Sequence, residues 1–169
     1  RLLRVFAFDP SMGRTRETAG INETRIRIPW ERDAKGADIL QPGPVGEYVE
    51  VIDRDPASRC CYEPVDLNDR YVVAQHGLPP SESSPQFHQQ MVYAVAMRTI
   101  RNFERALGRL ALWRSHTTKN DQGKIEEQYI QRLRIYPHAL REANAYYSPD
   151  KKALLFGYFS APAGAQDAP

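Results

Sequence analysis

Ser84-Pro85-Gln86-Phe87-His88-Gln89-Gln90-Met91 opens, and Phe103-Glu104-Arg105-Ala106-Leu107-Gly108 closes, the stretch that decides the fold. Ser84 offers a side-chain oxygen to the first turn of a helix. Pro85 suits the first helical position, because the N–H it lacks would have no partner there. Neither Pro nor Gly interrupts residues 86–107, and Gly108 follows as the residue best able to take the left-handed turn that ends a helix. The spacing therefore predicts one helix over 85–107. At 100° per residue, Val92, Ala96, Ile100, Phe103 and Leu107 share one face, and Arg98, Arg101, Arg105 and Arg109 the opposite one. Phe87, Met91, Val95 and Met97 spread apolar character around the first half, which is expected to be enclosed on several sides, and the second half on one.

Working outward, short strands flank this helix. Residues 1–8 are rich in Val and Phe, Glu23-Thr24-Arg25-Ile26-Arg27-Ile28 alternates, and residues 47–53 form a third strand with Cys60-Cys61-Tyr62-Glu63 as a short hairpin partner. Residues 31–46 read as a loop, as do 77–85 and the polar stretch 115–123. Residues 132–136 alternate again, and Ala153-Leu154-Leu155-Phe156-Gly157-Tyr158-Phe159 is apolar enough for a strand covered on both faces. The expected architecture is α+β: a mostly antiparallel, twisted sheet of about five strands with the helix packed on it. Residues 1–159 read as one domain, and 160–169 as a Pro/Ala-rich tail or linker.

The chain has 169 residues, 41% hydrophobic and 26% charged, which excludes wholesale disorder. A net charge of +2 excludes a strong global field drawing it to nucleic acid or anionic lipid. No run of apolar residues is long enough for a transmembrane helix, and the opening is too short and too charged for a signal peptide. Cys60 and Cys61 are adjacent and form no CxxC motif, so they are expected to be reduced thiols in a cytoplasmic protein.

No catalytic or metal-binding residue is expected in this chain. His76, His88, His116 and His138 show no i, i+4 pair that would aim two imidazoles at zinc, and each reads as structural. There is no glycine-rich phosphate cradle and no GxSxG elbow. The arginine stripe reads as a solvated face, since the aromatic residues of a stacking platform are missing there, and nucleic-acid binding is disfavoured. The unusual stretch is Tyr136 to Asp150. It reads either as an aromatic hairpin completing the core or as an exposed edge that takes an extended peptide through its backbone.

The order of the helix ending Phe103-Glu104-Arg105-Ala106-Leu107-Gly108-Arg109, then Asn144-Ala145-Tyr146-Tyr147, then Leu154-Leu155-Phe156-Gly157-Tyr158 resembles the thermolysin-like zinc metallopeptidases, the gluzincins, over residues 85–159. In that family an Asn-Ala-aromatic strand forms the upper rim of the cleft. The resemblance implies substrate-binding roles for the Asn144 side chain and the Ala145 backbone, with Tyr146 lining a neighbouring pocket. It also implies that an HExxH helix follows Phe159 in a longer parent. No HExxH occurs in these 169 residues, so zinc is expected only in that downstream half. The chain then reads as the rim-bearing part of a metallopeptidase-like protein, not catalytic alone. Its partners would be an extended peptide or protein substrate and the downstream catalytic half. The alternative is a stand-alone, non-catalytic peptide- or protein-interaction module. The apolar strand near Leu154, Phe156 and Tyr158 is expected to expose a patch and to favour homo-oligomers.

Overall fold

A computed structural model describes residues 1–14, 17–18, 20–119 and 125–160. The fold is α+β. The long helix spans Pro85–Leu107, within the expected limits. Ser84 Oγ accepts from Phe87 N at 3.2 Å, and Gly108 closes the helix at φ 66°. We call it α2, because a five-residue helix, α1 (Arg70–Ala74), precedes it. Asp69 caps α1, accepting from Tyr71 N at 2.8 Å and Val72 N at 3.2 Å.

β1 (Leu2–Phe6) and β2 (Glu23–Arg27) form an antiparallel ribbon. β1 alternates so that Leu3 and Val5 point into the core. A 3₁₀ turn (Pro10–Arg14) follows β1. β3 (Val49–Val51), β8 (Leu133–Leu140), β10 (Ala153–Gly157) and β9 (Ala145–Ser148) make a four-stranded sheet in that order. β4 (Arg54–Asp55) pairs with β5 (Cys60–Cys61), and β6 (His116–Lys119) with β7 (Ile125–Gln128). Four pairings are antiparallel, but β8 runs parallel to both β3 and β10.

The strands thus divide between a mixed four-stranded sheet and three two-stranded ribbons, where a sheet of about five was expected. The expected polar loop 115–123 contains β6, and residues 120–124 lie outside the described residues, as does most of the tail expected over 160–169. The stretch 136–150 is not a hairpin. β8 continues to Leu140, and β10 inserts between β8 and β9. Pro137 is tolerated inside β8 because the β8–β10 register slips between Leu155 and Gly157, where a missing N–H breaks no regular ladder.

One core cluster joins these parts. It takes Leu3, Val5 and Ile28 from the ribbon side, Val49, Val51 and Ile135 from the sheet, and Tyr93, Ala94, Met97 and Ile100 from α2. Each large side chain buried this way contributes about 1.5–3 kcal/mol relative to exposure. The helical face differs from the expected one at its end: Ile100 is buried, but Phe103 is 63% and Leu107 57% exposed. No described helix is long and apolar enough to cross a membrane.

Candidate functional site

β9 lies at the edge of the four-stranded sheet, and no described strand pairs with its outer side. Asn144, Ala145, Tyr146 and Tyr147 are all exposed. What holds this edge in place is a close backbone approach. Gly157 N donates to Asn144 O at 2.7 Å, and Asn144 N donates to Glu142 O at 2.9 Å. A Cβ on Gly157 would stand 2.8 Å from Asn144 O and closer still to Glu142 O, so only glycine lets the 142–144 turn fold against β10.

The same bond sets the polarity of the edge. Asn144 and Gly157 are a hydrogen-bonded pair, and in an antiparallel ladder such pairs alternate with non-bonded ones. Continuing the register, Tyr146 faces Leu155 and Ser148 faces Ala153 as inward-bonded pairs. Ala145, opposite Phe156, and Tyr147, opposite Leu154, therefore turn their N–H and C=O groups away from β10. The Asn144 side chain donates to Glu142 Oε1 at 3.3 Å beside this open row. Tyr146 stands on the Leu155 face of the sheet, 43% exposed, and Tyr147 on the Leu154 face, 51% exposed.

A second constellation joins three distant segments. His138 of β8 places Nδ1 2.6 Å from Asp53 Oδ1, and its Nε2 lies 2.8 Å from His88 Nδ1 on the first turn of α2. His88 Nε2 lies 3.1 Å from the Ser81 carbonyl. Gln89, fully buried, donates to Asp53 Oδ2 at 2.8 Å and to Glu63 O at 3.0 Å, and accepts from Val65 N at 2.8 Å. Burial first, and then the neighbouring His138, lowers the pKa of His88 and keeps that ring neutral. Its one proton is needed at Nε2 to reach the Ser81 carbonyl, which leaves Nδ1 as the acceptor of a proton carried by His138 Nε2. His138 Nδ1 faces the Asp53 carboxyl group, so the two residues share a short buried hydrogen bond. Every ring nitrogen is then engaged. These bonds tie β8, the first turn of α2 and the Asp53 segment together, and the relay works as a clamp.

Beside it, Asp55 is fully buried. Burial alone would raise its pKa, but hydrogen bonds from Tyr158 at 2.7 Å, from Ser58 and from Tyr62 outweigh that and hold it at about 2. Tyr62 and Tyr158 also pack edge-on against His138, with centroids 5.0 and 5.5 Å away. Next to the relay, α2 and the sheet form the walls of an open apolar cavity of about 590 Å³, lined by Met91, Val92, Leu133, Leu154 and Phe156 among others.

Sequence reasoning gave each histidine separately a structural role and missed that His88 and His138 meet, since no local spacing links residues 53, 88 and 138. His76 sits in the turn after α1 and His116 in β6. One signal for buried polar contacts along α2 was present. Gln90 falls three residues after Phe87 and four before Ala94, on the buried face, and a polar residue there must bond something. It accepts from Leu78 N at 2.7 Å and donates to Arg4 O at 2.9 Å. Arg98, Arg101 and Arg105 line a separate concavity, whereas Arg109 lies past the end of α2 and donates to Leu110 O at 3.5 Å. Among the described residues, no group of three or more His, Cys, Asp or Glu side chains is disposed to hold a metal ion. No family model matches the chain, and no curated protein or solved structure matches it either.

Proposed function

We propose that this chain is the substrate-rim part of a metallopeptidase-like protein, in which β9 receives an extended peptide as an added strand. The observation that carries the reading is the open edge of β9, with the Ala145 and Tyr147 backbone groups aimed outward and Asn144 beside them. Two residues offering both N–H and C=O form the minimum repeat of strand addition, and flanking side chains confer selectivity. Tyr146 and Tyr147 on opposite faces would contact alternate side chains of the guest. The described residues do not fit a zinc site, so no hydrolytic step is assigned to them. Zinc and catalysis would reside in a downstream half, whose docking would cover the apolar cavity beside Leu154 and Phe156. The free thiols of Cys60 and Cys61 suit a cytoplasmic setting.

The test is calorimetry with unstructured peptides on the wild type, Ala145→Pro and Asn144→Ala. Proline at 145 removes an outward N–H and leaves the inward Tyr146 pair in place. Binding should weaken about fivefold or more in Ala145→Pro, the worth of one hydrogen bond, with thermal unfolding little changed. Peptide binding that is indifferent to Ala145→Pro in a folded chain would refute strand addition at β9.

A further inference from the structure

We propose that the concavity between the end of β2 and the C-terminal half of α2 binds a compact ligand carrying two or more phosphate groups. Its volume is about 500 Å³, and its lining includes Arg27, Arg98, Arg101, Arg105, Arg1 and Trp30. The convergence is built from two elements. Residues 98, 101 and 105 recur at intervals of three and four on one side of α2, and the β1–β2 register, with Leu2 opposite Arg27, delivers a further guanidinium to the same place.

Charge accounting distinguishes this site from an ordinary solvated face. Arg1 is already committed: it pairs with Asp38 at 2.7 Å, donates to Leu67 O at 2.9 Å and stacks over the Trp30 ring at 4.3 Å. Arg101 touches Glu104 at 3.4 Å, but Glu104 is nearly buried and also accepts from Tyr48 at 2.7 Å and from Ala111 N at 3.0 Å. Among the described residues, Arg27, Arg98 and Arg105 have no carboxylate within 4.0 Å. The chain as a whole is nearly balanced, with 23 basic and 21 acidic residues, so this surplus is local. Like charges gathered within a Debye length of about 8–10 Å repel one another, and a polyanion relieves that repulsion.

The donor geometry selects the anion. A single guanidinium fork saturates both oxygens of a carboxylate, whereas three unpaired forks and a shared fourth call for the more numerous oxygens of phosphate groups. Arg98 and Arg105 are about 10 Å apart along the helix axis, a span suited to two linked phosphates. Trp30, 40% exposed, borders the concavity, whose volume of about 500 Å³ is in the range of small-ligand pockets and favours a small ligand over a nucleic-acid strand.

Pyrophosphate is the probe, titrated at about 50 mM salt and followed by calorimetry and tryptophan fluorescence. A saturable one-to-one complex is expected, with orthophosphate about tenfold weaker. Arg98→Glu/Arg105→Glu should abolish it, while Arg70→Glu/Arg141→Glu, with the same change in net charge at exposed positions elsewhere, should keep the affinity within about twofold. Circular dichroism checks the fold, and Arg98→Ala/Arg105→Ala replaces the reversal pair if that pair misfolds. Absence of saturable binding, or equal loss in both double variants, overturns the site. So does a single-stranded oligonucleotide that binds tenfold or more tightly than pyrophosphate, since the surface would then be one for nucleic acid.

Discussion

The two ends of α2 are built on opposite terms. In the N-terminal half, Phe87, Gln89, Gln90, Tyr93, Ala94 and Met97 are buried, and the two glutamines tie the helix to backbone groups at residues 4, 63, 65 and 78. In the C-terminal half only Ile100 and Glu104 are buried, while Phe103, Leu107 and the arginines face outward. Burial at the first end depends on polar side chains whose every group has a partner. The second end is left open, and it carries the cationic concavity. The lesson is that a buried polar network fixes where a helix sits, and thereby leaves another part of the same helix free to present chemistry.

Substitutions at the two ends should differ accordingly, and the largest effect belongs to the clamp. Asp53→Ala leaves His138 Nδ1 unpaired in the interior and removes one of the two acceptors of the buried Gln89 amide. It should cost about 3–5 kcal/mol in urea unfolding, the scale for removing one partner of a buried pair. Gly157→Ala comes next. Its Cβ collides with the carbonyls of Glu142 and Asn144, and the loss should be about 2–3 kcal/mol, with faster hydrogen exchange in β9 and little change in α2.

Acid supplies the third probe of the buried end. Asp55 has its pKa lowered from 3.8 to about 2 in the folded chain, so the unfolded chain binds the proton more readily. Its contribution, about 2 kcal/mol, is present above pH 4 and is lost as pH falls through about 2. Tyr158→Phe removes one of the hydrogen bonds to Asp55 and should shrink the acid-dependent part of the stability measured between these pH values. At the open end the effect should be smallest: Phe103→Ala, at a position 63% exposed, should change stability by no more than about 0.5 kcal/mol. A large loss there would mean that the two ends are not built differently.

The helix was legible because its signals are local: Ser84, Pro85 and Gly108 mark its ends without reference to anything distant. β10 was legible for a similar reason, as an unbroken apolar run. α1 was missed because five residues are too few to display a period. β6 was missed because it lies in a polar stretch that shows no apolar alternation. The end of β8 was hidden by Pro137, which is acceptable only because of a register slip that the sequence does not announce. The site divides in the same way. Asn144, Ala145 and Tyr146 form one contiguous stretch and could be singled out, whereas the Asp53–His138–His88 clamp and the meeting of Arg27 with the α2 arginines depend on contacts across dozens of residues.

Residue-resolved amide hydrogen exchange of β9, with and without saturating peptide, tests strand addition most directly. In the free chain Tyr146 N–H, bonded to β10, should exchange slowly, while Ala145 and Tyr147, aimed outward, should exchange fast. With peptide bound, Ala145 and Tyr147 should become protected and Tyr146 should hardly change. Uniformly slow exchange along β9 in the free chain, or an alternation that peptide leaves untouched, would contradict the account.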